Sequence, residues 1–141
     1  MATRVSDTWQ TVFNIINSID YTHPHLSKYI YSSFPDVAIR NKEYYPLIVI
    51  QSPEFRQEEH GYSNVENSVR MTIEIYATSA ETRDQLADKI ISKIEESRST
   101  LESNNLYRPV IVSMSDMTYS RGGMKIHLKR LVYEFKMVYE R

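Results

Sequence analysis

Cysteine is absent from this 141-residue sequence, and glycine occurs only three times. Without cysteine the chain cannot form disulfides, thiolate metal sites or a cysteine nucleophile, and its composition fits a reducing compartment. Three glycines are too few for a loop that cradles phosphate, because such loops need several glycines close together. No apolar run approaches the roughly 20 residues of a membrane helix, so we expect neither a membrane segment nor a secretory signal.

A strong charge of one sign and known catalytic motifs are lacking as well. The formal net charge is -1, so composition gives no global argument for binding nucleic acid or an acidic membrane. No GxSxG, Walker, dinucleotide-binding or HExxH pattern is present, and we predict no enzymatic activity, no metal and no cofactor. The competing hypothesis of a metal-dependent hydrolase would use His23, His25 and loop glutamates.

The clearest structural pattern lies in the segment from 67 to 94. Its first part places alternate apolar residues on one face, which is typical of a β-strand: Val69, Met71, Ile73, Ile75 and Ala77. Thr78, followed three residues later by Glu81, has the spacing of a capping box and predicts that a helix starts there. This helix would direct an apolar stripe ending at Ile94 towards the core and leave Arg83 mostly outside it.

Four further segments complete the predicted fold. We expect a helix over about residues 6–18, a buried strand over 45–51, and a C-terminal hairpin over 109–140. In the final strand the apolar residues switch from even-numbered to odd-numbered positions near Lys129 and Arg130, which predicts a β-bulge there. The resulting order, α-β-β-α-β-β, indicates a single α+β domain over residues 1–141. Its sheet would be mostly antiparallel, with four or more strands and two main helices packed on it.

Charge is distributed unevenly between two segments. The polar stretch 52–66, predicted as a hairpin or loop, is net acidic by three, whereas the stretch from Arg121 to Arg141 is net basic by four. In a monomer these would be two solvated patches, whereas in a ring the opposite patches could meet on neighbouring subunits and set their register. The predicted subunit interface consists of seven charged residues: Arg56, Glu58, Glu59, Arg121, Lys125, Lys129 and Arg130.

Three segments carry a resemblance to a known family: Tyr45–Ile50, the unit Val69–Ile94 and the closing strand Leu131–Glu140. In their pattern and order, over about residues 37–141, the chain resembles the tail terminator (tail completion) proteins of long-tailed bacteriophages. The resemblance implies a small α+β subunit of a ring, usually a hexamer, that ends the tail tube and docks to the head or neck. It brings no catalytic residues. Head–tail connector and neck proteins of the same virions share a similar size and fold and are the nearest alternative.

The resemblance also implies a set of partners. These would be further copies of the chain, the tail tube protein and a head or neck connector protein, while genome DNA passes through the ring without sequence-specific binding. The protein would lie in the virion tail or neck, and in the host cytoplasm during assembly. Eleven tyrosines suit either a protein interface or a half-buried sheet. Together with the basic C-terminal hairpin, they leave a nucleic-acid-binding module as another alternative.

Overall fold

The computed structural model describes residues 5–19, 30–35, 45–60, 64–121 and 123–140. Within these ranges the chain forms three helices and six strands: α1 (Val5–Asn17), β1 (Ile30–Tyr31), β2 (Leu47–Ile50), β3 (Glu54–His60), β4 (Asn64–Ala77), α2 (Ala80–Glu96), α3 (Arg98–Ser103), β5 (Tyr107–Arg121) and β6 (Met124–Glu140). The α+β class is confirmed. The predicted order is wrong, because four strands separate α1 from α2 and a third helix follows α2 directly. The sequence did not reveal β1 and β3 as strands, because β1 is too short and β3 too polar to show a regular repeat of apolar residues.

One mixed sheet organises these elements, with the strand order β1-β2-β4-β6-β5. β1 and β2 are parallel, and every other pairing is antiparallel. β6 covers one side of β4 along its whole length, so β2 and β3 share the other side. Between β2 and β3, residues 51–53 lie opposite only two residues of β4, which makes a β-bulge.

The main core lies between one face of this sheet and the helices. We call this the helix face. None of the described helices contributes to the core on the opposite face, which we call the helix-free face. Alternate residues of β4 point inwards from the helix face and meet the apolar stripes of the helices: Val69, Met71, Ile73 and Ile75 of the strand, Leu86, Ala87, Ile90 and Ile94 of α2, and Val12, Ile15 and Ile16 of α1. At the edge of the core, the indole N–H of Trp9 donates to the carbonyl of Ile50 at 2.6 Å. This hydrogen bond ties α1 to the end of β2.

A second, smaller core covers part of the helix-free face. It consists of buried apolar residues from β2, β4 and β6 and their flanks: Tyr45, Leu47, Val49, Tyr76, Met124, Ile126 and Leu128. All four residues of β2 are buried, because Ile48 and Ile50 face the main core while Leu47 and Val49 face the second one. A continuous apolar run is the pattern expected for such a strand.

The start of α2 differs by one residue from the predicted capping box. The N-cap is Ser79, whose hydroxyl accepts from the backbone N–H of Thr82 at 3.4 Å, so the prediction of Thr78 is wrong. Serine and threonine offer the same capping chemistry, and β4 continues as far as Ala77, which leaves Thr78 outside the helix. Glu81 accepts from the side chain of Gln85 at 3.3 Å, one turn further along the helix.

The junction between α3 and β5 is a Schellman motif. The N–H of Leu106 donates to the carbonyl of Leu101, and the N–H of Asn105 donates to that of Glu102, which is the hydrogen-bond pattern of this helix ending. Asn105 has a φ of 65°, a left-handed conformation that asparagine tolerates. Leu101 and Leu106 are both buried in the main core, so the motif turns the chain sharply into β5 while two leucines hold it in place.

The predicted β-bulge in the final strand is wrong. β6 pairs with β4 without a break from Glu140 to His127, and the register shifts lie instead near the start of β5. The switch of apolar residues from even to odd positions has a different cause. Alternate residues from Leu131 to Met137 are buried in the main core, whereas alternate residues from Met124 to Leu128 are buried on the other face, in the second core. One regular strand therefore serves two cores on opposite sides of the sheet.

Candidate functional site

The structure places the seven predicted interface residues on three strands. Arg56, Glu58 and Glu59 lie in β3, Arg121 ends β5, and the remaining three lie in β6: Lys125, Lys129 and Arg130. The β3 residues pair with the start of β4, where Arg56 is opposite Ser68 and Glu58 is opposite Glu66. The two groups do not form one patch on a single chain.

Strand register separates the acidic hairpin from the basic turn. His60 pairs with Asn64 next to the end of β6, whereas Arg121 pairs with Met124 beyond the far end of β4. The 14 residues of β4 span the distance between them, which is about 43 Å at roughly 3.3 Å per step. The two oppositely charged ends can therefore meet only between different copies of the chain.

Lys129 lies on the helix face within a cluster of four charged side chains. Its ammonium is 3.1 Å from Asp116 and 3.3 Å from Asp84, and Arg83 contacts the same two carboxylates at 3.7 and 2.9 Å. Burial lowers the pKa of Lys129, but hydrogen bonds and charge from Asp116 and Asp84 outweigh this and raise it above the usual lysine range. This charged cluster links α2 to both strands of the C-terminal hairpin.

Arg83 explains how the charged cluster forms. The sequence pattern left Arg83 outside the apolar stripe of α2, but the residue is buried, so that prediction is wrong. Its hydrogen bond to Asp84 is the main cause of a lowered pKa for that carboxyl group, with Lys129 contributing further. Arginine can bury its long apolar stem while its guanidinium reaches charged partners.

Arg130 lies on the helix-free face and pairs with Glu74. Its Nε and a terminal nitrogen donate to the same carboxylate oxygen at 2.9 and 2.7 Å. The other carboxylate oxygen accepts from Gln51 at 3.0 Å and from the Tyr76 hydroxyl at 3.1 Å. Burial, followed by the charge of Glu74, raises the pKa of Tyr76 far above the usual tyrosine range. Four hydrogen bonds thus satisfy a glutamate side chain that is only 6% exposed.

Cross-strand polar pairs continue along the helix-free face. Arg70 pairs with Glu134 at 3.1 Å, and Lys136 donates to Ser68 at 2.9 Å. Each of these pairs joins direct register partners on β4 and β6, as does the pair of Glu74 and Arg130. Within these pairs Glu74 of β4 neutralises Arg130 of β6, which reduces the positive charge that β6 offers to nucleic acid.

The exposed edge of β5 is the main surface that the sequence reasoning missed. β5 pairs only with β6 among the described strands, and most of its residues are exposed. Its exposed large apolar side chains are Tyr107, Val110, Val112, Met114 and Met117. A strand with apolar residues on both faces usually lies inside a sheet, so apolar pattern alone cannot reveal that this one lies at an edge. An exposed apolar edge is a typical site of association between chains.

Potential metal sites and cavities can be judged for the described residues. No three histidine, aspartate or glutamate side chains among them come together as a metal site, and His23 and His25 lie outside the described ranges. An open groove of about 420 Å³ runs between the end of α1 and the outer side of α2, lined mainly by polar residues such as Asp88, Ser92 and Lys93. None of the helices in these ranges is long and apolar enough to cross a membrane.

Comparison with known proteins shows a similarity of fold to solved structures. No family model matches the chain, and no curated protein sequence matches it. Among solved structures, the chain is similar to one from the virion of a native gene transfer agent particle, with a TM-score of 0.65. The two chains share 10% sequence identity, and the similarity covers 99% of this chain and 100% of that one. The similarity is one of fold. It extends over both chains from end to end.

Proposed function

We propose that this chain is a structural subunit of a phage-like virion. The observation that carries the proposal is the similarity of fold to a virion chain, which covers nearly all of both chains at a TM-score of 0.65. The polar clusters of the structure support a structural role, because the carboxylate of Glu74 and the ammonium of Lys129 are occupied by contacts within the chain. We also propose that the chain has no enzymatic activity.

Within the virion, the proposed role is that of a ring-forming tail terminator. Such a ring, with six copies as the expected number, caps the tail tube and joins it to the head or neck. The opposite placement of the acidic hairpin and the basic turn supports this role. A subunit whose two ends differ in charge can bind a neighbour in one direction repeatedly, as a ring requires. The other proposed partners are the tail tube protein and a head or neck connector protein.

Binding to tail tubes tests the proposal directly. The purified chain, mixed with purified tail tubes from the same virus, should sediment with the tubes and appear in negative-stain images as a cap at one end. The bound chains are then cross-linked and released from the tubes with mild denaturant. Size exclusion with light scattering should show that the released material is a ring of identical subunits. A chain that binds neither tubes nor connectors and never forms rings would contradict the proposal.

A head–tail connector or neck protein is the second candidate role, since it shares the size and fold elements discussed above. The same sedimentation assay separates the two roles when connector complexes replace tail tubes. A terminator binds the end of the tube, whereas a neck adaptor binds the connector and leaves bare tubes uncapped. Preferential binding to the connector would assign the chain to the neck.

The nucleic-acid-binding alternative has a separate test. Binding to duplex DNA should be measured by fluorescence anisotropy between about 50 and 200 mM salt, because phosphate contacts weaken steeply over this range. The ion pairs of Lys129 and Arg130 with Asp116 and Glu74 leave few free cations on β6. We therefore expect no measurable affinity. A strong, salt-dependent affinity would instead support this alternative.

A further inference from the structure

The two halves of β5 differ in their ability to pair with a further strand. The first half, up to Ser113, contains two register shifts against β6, a proline at position 109 and a left-handed φ of 53° at Arg108. Bulges and proline are devices that keep an edge strand from pairing with another chain. Residues 113–121 pair regularly with β6 and contain neither proline nor lysine. Among the described strands, none pairs with the outer side of this regular half, so its backbone can accept a further strand.

β3 is the strand of a second copy that fits this edge. Within the described part of the chain it pairs only with β4, and its seven residues fit inside the regular half of β5. β3 and β5 run in opposite directions, because three antiparallel pairings separate them. A second copy in the same orientation therefore presents β3 antiparallel to β5. Charge is complementary as well, since segment 52–66 is net acidic by three and the stretch from 121 to 141 is net basic by four.

The stepped outline of the sheet requires an offset between the two copies. β1 lies outside β2 and so extends one strand further from β4 than β3 does. A row of cross-strand partners joins Tyr31 of β1 to Ser115 of β5 within one chain. At equal height, β1 of the second copy would meet Ser115 and hold β3 one strand spacing away from β5. The second copy must therefore be displaced along the strands, towards the turn that joins β5 to β6.

Side-chain direction and charge leave one register for this pairing. β3 lies wholly within residues 113–121 only if Glu54 is opposite position 119, 120 or 121. Position 120 is excluded, because Glu54 lies in a row on the helix-free face whereas Ser120 lies on the helix face. With Glu54 at position 121, Glu59 would be opposite Asp116, and like charges directly opposite each other are destabilising. The remaining register has Glu54 opposite Tyr119.

We propose that β3 of a second copy adds to residues 113–119 of β5 as an antiparallel strand, with Glu54 opposite Tyr119. The inference rests on the proposed ring and specifies its contact, because two different edges are joined and the contact repeats in one direction. Within one chain Glu54 is level with Glu134 of β6, whereas Tyr119 is level with Ile126. The copies are thus offset by eight residues, about 26 Å at roughly 3.3 Å per residue.

This offset agrees with the contact between acidic and basic segments that supports the ring. It brings the acidic strand of one copy alongside the part of the C-terminal hairpin that carries Lys129 and Arg130. Glu58 of the second copy then lies in the same row as Ser115 and Arg130. The offset also carries β1 of the second copy beyond Arg121, where β5 ends. A closed ring accommodates a constant offset by tilting its strands, as β-barrels do.

Engineered disulfides test this contact, because the chain has no cysteine of its own. Phe55→Cys and Thr118→Cys replace exposed residues that the proposed register puts directly opposite each other on the helix face. We expect the double variant, oxidised at high protein concentration, to form covalent dimers, trimers and larger species on a non-reducing gel. An equal mixture of the two single variants should form dimers and nothing larger. The matched control combines Phe55→Cys with Ser92→Cys on the exposed side of α2 and should give no such series.

Three outcomes would overturn the proposal. Dimers from Thr118→Cys alone would show that β5 pairs with β5 in a closed dimer. Oligomers detected by light scattering without disulfide formation in the double variant would place the contact elsewhere. A chain that stays monomeric at every concentration, with no cross-links, would exclude this contact between copies. The sedimentation assay judges the proposed function separately, since a chain that caps tail tubes without these cross-links keeps that function and loses only this contact.

Charge substitution at Met117 provides a second measurement, because the proposed register puts this residue opposite Arg56 of the second copy. Met117→Lys should weaken self-association and Met117→Glu should not, so their affinities should differ by about 3-fold or more, as expected for one cross-strand charge pair. Both variants should fold normally by far-UV circular dichroism, since Met117 is 53% exposed. The control is Val110→Lys, which changes an equally exposed residue of the first half of β5 and should leave the affinity unchanged.

Light scattering over a concentration series gives these affinities. Equal affinities for Met117→Lys and Met117→Glu would refute the addition of a strand at this edge. Weaker association of Met117→Glu than of Met117→Lys would refute the register, because it would put Glu58 opposite Met117.

Discussion

Replacing Glu74 by alanine tests whether the polar cluster of the helix-free face holds β2, β4 and β6 together. The carboxylate accepts hydrogen bonds from Gln51, Tyr76 and, twice, Arg130. In Glu74→Ala the buried hydroxyl of Tyr76 and the part-buried amide of Gln51 lose their acceptor. The guanidinium of Arg130 loses its ion pair but can turn towards water, since its side chain is 44% exposed.

The expected loss of stability follows from these contacts. Each hydrogen bond from Gln51 and Tyr76 contributes about 1 kcal/mol, and the pair with the half-exposed Arg130 adds about 1 kcal/mol after allowance for solvent screening. The free energy of unfolding should therefore fall by about 3 kcal/mol. In a domain of this size that corresponds to a decrease of roughly 10 °C in the midpoint of thermal unfolding.

Urea unfolding at pH 7 measures this loss. Far-UV circular dichroism and the fluorescence of Trp9 should give coincident transitions, which justifies a two-state analysis. The matched control is Glu134→Ala, which removes the exposed pair with Arg70 on the same face and the same two strands. Because such surface pairs contribute little, the control should cost less than about 1 kcal/mol.

Two results would refute this reasoning. Equal losses for Glu74→Ala and Glu134→Ala would mean that burial of the carboxylate does not matter. A double-mutant cycle between Glu74→Ala and Arg130→Ala gives the second test. Contacting charged residues show coupling energies of about 0.5–3 kcal/mol, so additive effects within about 0.3 kcal/mol would exclude a significant ion pair.

Three further changes test other parts of the structure. Ile90→Asp should abolish folding, because it buries an unpaired charge at a fully buried core position; a cooperative unfolding transition by circular dichroism would contradict this. Asp84→Asn should destabilise the chain at pH 7. The folded-state pKa of Asp84 is lowered, so its contribution is present above the unfolded pKa of about 3.9 and is lost as pH falls through the folded pKa. In thermal unfolding scans the difference between the two proteins should therefore shrink as the pH falls below about 4 and disappear below the folded pKa; a difference that does not shrink with falling pH would argue against the charge effect. Glu58→Lys combined with Glu59→Lys should leave the fold intact and weaken assembly by light scattering; loss of folding instead would show that these residues belong to the core.

The period of the apolar residues predicted much of the local structure. The alternation from Val69 to Ala77 corresponds to β4, and the helical stripe ending at Ile94 corresponds to the buried side of α2. These patterns are reliable because a strand and a helix repeat their side-chain directions every 2 and 3.6 residues, whatever the rest of the chain does. The cap at Ser79 was missed because Thr78 offers the same chemistry one residue earlier.

Charge pattern was a less accurate guide to the candidate interface. Lys129 and Arg130 are adjacent in sequence and looked like one basic patch, but they point to opposite faces of β6 and pair with Asp84 and Glu74. Sequence separation hides such partners, since Glu74 and Arg130 are 56 residues apart. Only the register of β4 against β6 brings these two residues into contact.

The sequence by itself determined the α+β class, the apolar faces of the main elements and the separation of charge between residues 52–66 and the C-terminal hairpin. These properties depend on neighbouring residues, so they can be read directly along the chain. The tertiary structure decided where each strand lies in the sheet, and hence that the apolar β5 is at the edge of the sheet formed by the described strands. It also decided which charges are paired within the chain. The strand positions and the ion pairs both depend on contacts between segments that are distant in sequence. The repeat of apolar residues within one segment does not specify such contacts.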